Sequence, residues 1–192
     1  MLATSVLAGC GSSGGLTLSA PVRTPSGYAT FHGPWFTVIL PNGWPASVTR
    51  EAAHTALMSV FAPGAAAGST QGAATTLKLP RVDVETMTAA ASSSRPVFNR
   101  ALASLGSGAS FPVPNGSVLR GKATVTTVHL AGATEAKLIN TTGTTLPVRA
   151  MTLLVLAPAG ATSVGVTWTG RATLLNPTAI IHSFRLTGSS SS

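Results

Sequence analysis

The 192-residue chain predicts a single α+β domain, an antiparallel sheet with helices packed on it. Two observations carry that expectation. The last third holds four strand-like runs, Lys122 to Leu130, Thr134 to Thr141, Leu146 to Ala157 and Thr162 to Thr169, linked through Gly132, Gly143 and Pro158-Ala159-Gly160. Links this short join antiparallel neighbours, because a parallel crossover takes about a dozen residues or more. Two helical patterns flank the runs. Pro96 to Leu105 places Val97, Phe98, Ala101, Leu102 and Leu105 on one face, and Asn176-Pro177 opens a final helix with Ile180, Ile181 and Phe184 turned to the sheet.

From the N-terminus, Leu16 to Gly27 is polar and carries Pro21 and Pro25, which reads as tether. Tyr28 to His32 and Trp35 to Leu40 read as strands divided by Gly33-Pro34. Pro41-Asn42-Gly43-Trp44-Pro45 reads as a tight turn in which Gly43 takes positive φ. Ser47 to Phe61 fits two patterns. Val48, Ala52, Ala56 and Val60 recur every four residues as in a helix, while the run from Leu57 to Phe61 also suits a buried strand. Pro63 to Ala73 is a Gly/Ala/Ser loop, Ala74 to Leu79 a strand, and Asp83 to Ser94 a helix starting at Asp83. Pro96 is expected in the first turn of the next helix and Gly106 at its end. The organisation that follows is 1–9 a truncated signal peptide, 10–27 a tether, 28–187 the domain and 188–192 a disordered Ser tail. A domain near 150 residues buries roughly 70% of its unfolded surface, enough for a core without staples.

Composition narrows the function classes. Charged residues make up 8% of the chain, against about 25% in a typical soluble domain. The net charge of +8 comes from a shortage of acids: Glu51, Asp83, Glu85 and Glu135 face twelve scattered Lys and Arg. Nucleic-acid binders gather their bases on one stripe interleaved with aromatics, and no such stripe is present, so nucleic acid is not expected as a partner. The charge suits a weakly basic solvated surface, or attraction to anionic lipid headgroups or an acidic envelope polymer.

The one cysteine, Cys10, excludes an internal disulfide and a Cys-rich zinc site. It follows Leu7-Ala8-Gly9, and Leu-Ala-Gly-Cys resembles the lipobox of bacterial lipoproteins. That resemblance implies a diacylglyceryl group on the Cys10 thiol, removal of the preceding segment, and an extracytoplasmic protein held at the cell membrane through lipid. Small residues at 8 and 9 let a peptidase close on the backbone, and Gly11-Ser12-Ser13-Gly14-Gly15 would hold a domain off the bilayer. Only nine residues, none basic, precede Cys10, so the leader reads as truncated. The longest apolar run, Met151 to Ala157, falls short of the about 20 residues a spanning helix needs.

No catalytic set stands out. Gly11-Ser12-Ser13-Gly14-Gly15 matches the nucleophile-elbow pattern in form, but sits in coil rather than between a strand and a helix. His32, His54, His129 and His182 have no helical metal spacing, and any triad would recruit its acid from afar; His129, in a strand, is the best placed. Asp83 and Glu85 read as first-turn helix acids, favoured by the dipole, ahead of a carboxylate pair on one strand face. Trp35, Phe36, Trp44 and Trp168 are candidate walls of an aromatic cleft for a lipid, glycan or peptide. No cofactor or metal is called for.

Phe36-Thr37-Val38-Ile39-Leu40-Pro41-Asn42-Gly43-Trp44 resembles the opening strand and Pro-x-Gly-Trp turn of the PsbP/Mog1-like proteins. The step Leu130-Ala131-Gly132-Ala133-Thr134-Glu135-Ala136 is similar to that family's Gly-containing strand entry, and Ile180-Ile181-His182-Ser183-Phe184-Arg185 to its closing helix. The likeness extends over Tyr28 to Leu186 and implies kinship with actinobacterial lipoproteins of the LpqN/LpqT kind. It implies a PsbP/Mog1-like fold and a non-enzymatic, lipid-tethered binding or assembly module of the cell envelope, with an envelope lipid, glycan or protein as ligand. A cryptic serine hydrolase and a structural surface lipoprotein are the alternatives.

Overall fold

The computed structural model describes residues 16–18, 24–52, 54–63, 80–108, 111–112, 118–119, 121–144, 148–169 and 175–187. Its elements, in chain order, are β1 (Leu16–Thr17), β2 (Tyr28–His32), β3 (Phe36–Pro41), β4 (Ala46–Ala52), β5 (Thr55–Phe61), β6 (Arg81–Thr88), α1 (Ala91–Gly106), β7 (Phe111–Pro112), β8 (Val118–Leu119), β9 (Gly121–His129), β10 (Glu135–Gly143), β11 (Val148–Ala157), β12 (Gly160–Thr169), α2 (Pro177–Ser183) and β13 (Arg185–Leu186). Eight strands form one sheet in the order β1-β9-β10-β11-β12-β6-β5-β4; β13-β3-β2 form a second, and β7 pairs with β8. The fold is α+β, as the sequence predicts.

The meander β9 to β12 is antiparallel throughout. Its central strand, β11, does not alternate: Leu153, Leu154, Val155, Leu156 and Ala157 are all buried. Both faces of the sheet are covered there, which removes the inside–outside period. Leu154 and Leu156 meet Phe98 of α1, with Ala101, Leu102 and Leu105 alongside. Leu153, Val155 and Ala157 belong to a larger core on the opposite face, built with β2, β3 and α2.

Several expectations are corrected. Asp83 to Ser94 does not start a helix at Asp83. Arg81–Thr88 is a strand between β12 and β5, because Val82, Val84 and Thr86 alternate into the larger core face. The helix begins instead at Ala91, so Pro96 lies inside it and not in its first turn. The opening turn, Ser92-Ser93-Ser94-Arg95, carries no apolar period to announce it. Val97 points outward at 38% exposure while Phe98 is buried at 1%. Ser47 to Phe61 divides into β4 and β5, an antiparallel hairpin with a register shift between Arg50 and Ala52. Part of the expected tether is ordered: Leu16–Thr17 pairs in parallel with β9, which makes the large sheet mixed, and Leu18 is buried with its N–H on the His129 carbonyl at 3.1 Å. The closing helix stops at Ser183, and Arg185–Leu186 pairs with β3 as an edge strand. The strand expected over 74–79 lies outside the described residues.

Two of the turns show why glycine is required there. Gly43 has φ +73 after Asn42, as the Pro-Asn-Gly turn demands. Gly160, at φ +152, opens β12; a Cβ there would sit 2.0 Å from the Met87 carbonyl oxygen, so β6 could not close on the β11–β12 hairpin.

The two ends of the domain form one unit. Phe36 stacks on Phe184 with ring centroids 5.2 Å apart. The Ile39 N–H donates to Ser183 Oγ at 2.8 Å, and Ser183 Oγ donates to the Ile180 carbonyl at 2.6 Å. Asn176 caps α2 by accepting the Ala179 N–H at 3.0 Å, while its own N–H donates to the Tyr28 hydroxyl at 2.8 Å.

Candidate functional site

Leu7, Ala8, Gly9, Cys10 and Ser13 lie outside the described residues. The four aromatic candidates do not wall one cleft. Phe36 is fully buried, and Trp35, at 7% exposure, meets it edge-on with centroids 5.2 Å apart. Both belong to the core, held there by the return of β13 and α2 onto β3. Trp44 and Trp168 are half-buried and pack against the same core from its margin.

Two of the acids, Asp83 and Glu135, are engaged in structural pairs. Arg81 Nε lies 2.8 Å from Asp83 Oδ2, and Ser59 Oγ donates to Asp83 Oδ1 at 2.6 Å. Asp83 and Glu85 stand in a strand, so the helix-dipole expectation for them is withdrawn. Glu135 pairs with Arg95, which ties α1 to β10, and lies 3.6 Å from Lys137 Nζ. These contacts commit the Asp83 and Glu135 carboxylates to holding strands and helix together. Of the histidines, His32, His54 and His129 are exposed and His182 is half-buried in α2.

A groove of about 400 Å³ opens between the small sheet and the β4–β5–β6 wing of the large one. Phe31 and Pro34 form one wall; Val48, Met58 and Val84 form the other; His54 stands at its border. The register explains the second wall. Val48 opposes Met58, and Met58 opposes Val84, so three strands send apolar side chains to one face in a row. Threonines 55, 86 and 88 add hydroxyls to the lining. The volume falls within the about 300–1,000 Å³ typical of ligand pockets, and the mixture of an apolar floor with few polar groups is what such sites use. Chemically it can sequester an apolar group and orient it through hydroxyls or the imidazole.

Apart from His54, weighed with the other histidines, none of these lining residues stands out in the sequence. Val48 belongs to the stretch that fits two periods, and its 67% exposure is unusual for a valine on a strand. Phe31 belongs to a recognisable strand, but its wall exists only because the small sheet lies over the larger one. A comparison with protein-family models finds no match to this chain, and a comparison with curated proteins finds none either.

Proposed function

We propose that this chain is a cell-envelope lipoprotein, anchored through Cys10, whose PsbP/Mog1-like domain is a non-catalytic binding or assembly module with the β2/β4–β5–β6 groove as its ligand site. The groove carries this reading: a preformed, mostly apolar recess bordered by hydroxyls and one imidazole. The engagement of Asp83 and Glu135 in ion pairs favours binding over acid–base chemistry. The family resemblance gains support from the way its two carrying segments, Phe36 to Trp44 and Ile180 to Arg185, are joined by the Phe36–Phe184 stack and the Ile39–Ser183 hydrogen bond.

The ligand expected is an acyl chain or an apolar peptide segment. Titration of the full chain with a fluorescent fatty acid tests it. Ala56→Trp, at a half-buried lining position, should fill the groove and abolish binding while the melting temperature holds. Undiminished binding in that variant would remove the groove from the proposal. Expression in an actinobacterial host behind a full leader tests the anchor: acyl mass and membrane partition are expected, and both should vanish in Cys10→Ala.

A further inference from the structure

The two faces of the large sheet differ in charge. Strand register places Asp83, Glu85 and Glu135 on the face covered by α1, together with Arg81 and Lys137. Arg95, on α1 itself, reaches the same face through its pair with Glu135. The opposite face, beyond the cover of β2, β3 and α2, carries a different row. Lys122 of β9 opposes Thr142 of β10, Thr142 opposes Arg149 of β11, and Arg149 opposes Trp168 of β12. The next row is Thr124, Asn140, Met151 and Val166. Lys122, Thr124, Asn140, Thr142 and Arg149 are exposed, and Trp168 is half-buried. Among residues whose side chains are described, no carboxylate stands on this face; Glu51 is on β4, at the far edge of the sheet.

We propose that this uncovered end is a binding platform for an acidic glycan, separate from the groove and independent of its role. Strands lie about 4.8 Å apart, so Lys122 and Arg149 are separated by about 10 Å, with Thr142 between them and Trp168 one strand further on. Two cations at that spacing with no competing carboxylate select an anion-bearing chain. A planar row offering hydroxyls, an amide and an indole suits sugar hydroxyls and the apolar face of a sugar ring. A lipid surface is the poorer fit, because a membrane-seated face presents protruding apolar side chains. The exposed large apolar residues, Leu16, Val48, Val97 and Val125, stand outside both rows.

The test is calorimetric titration of the full chain with polygalacturonate oligomers, beside neutral dextran oligomers and phosphatidylglycerol vesicles. Binding to the acidic oligomers is expected, weakening as salt is added and falling about tenfold or more in the Lys122→Gln/Arg149→Gln double variant. The charge-retaining Lys122→Arg/Arg149→Lys pair should keep most of it. Both sites are exposed, so an unchanged melting temperature checks that the variants fold. The proposal is overturned by no binding at low salt, by equal affinity for dextran, by binding unaffected in the double glutamine variant, or by tighter binding to vesicles than to the glycan.

Discussion

On one face of the large sheet a single helix buries Phe98 against Leu154, Leu156 and Ala161, and the Arg95–Glu135 ion pair stitches its margin. On the other face a second sheet and α2 bury a far larger cluster, with Phe36, Phe184, Ile180 and Ile181 at its centre. The first face is a clamp of modest area that uses charge to fix the helix. The second holds most of the hydrophobic driving force, and its uncovered ends supply both candidate binding surfaces. Stability and the two proposed binding surfaces thus occupy adjacent parts of one face. The cost is that the walls of the groove are also walls of the core.

Truncating one fully buried ring on each face measures this difference. Phe36→Ala should cost about 4–5 kcal/mol, the upper part of the range for aromatic truncation, because its cavity would be enclosed by two layers. Phe98→Ala should cost about 3 kcal/mol, since α1 can settle toward the sheet and fill part of the space. Chemical denaturation of the two variants decides it; equal losses would mean that the faces are equally rigid. A smaller effect is expected at the cap that holds α2 over the larger core. Asn176→Ala should lose about 1 kcal/mol, read as a lower denaturation midpoint with an unchanged slope. The smallest belongs to the stitched margin. Glu135→Gln should cost less than about 1 kcal/mol, because both partners are partly solvated, and the loss should shrink further in high salt. A salt-independent loss would mean that Glu135 contributes through packing instead.

Much of the architecture was legible where local chemistry is decisive. Gly and Pro between apolar runs marked the β9–β12 meander, and the Asn176-Pro177 pair marked the start of α2. Ser47 to Phe61 fits two patterns because β5 has no inside–outside alternation: Thr55 to Ser59 are all half-buried, so a period of two does not stand out from a period near four. Asp83 to Ser94 reads as a helix starting at Asp83 because an acid before an apolar stretch is a fair helix signal, whereas Arg81–Thr88 is a strand. Its strand pairing depends on β12, more than seventy residues away in the chain by the register Val84–Val164. The groove was illegible for a related reason: Phe31 and Met58 become neighbours of one recess only after two sheets have stacked.

By itself the sequence determined the α+β class, the strand meander, the Asn176 cap of α2, the Gly43 turn, the single cysteine and the scarcity of carboxylates. Each follows from dihedral preference, hydrogen-bonding side chains or composition, which act over a few residues or over none. Tertiary structure alone decided that β6 enters the sheet beside β12, that β1 joins in parallel, that β13-β3-β2 form a second sheet, and which face each charge occupies. Those outcomes come from closing long loops and burying apolar area on both sides of a strand. The free energy of such burial depends on the partner that arrives, not on the pattern of the segment that receives it.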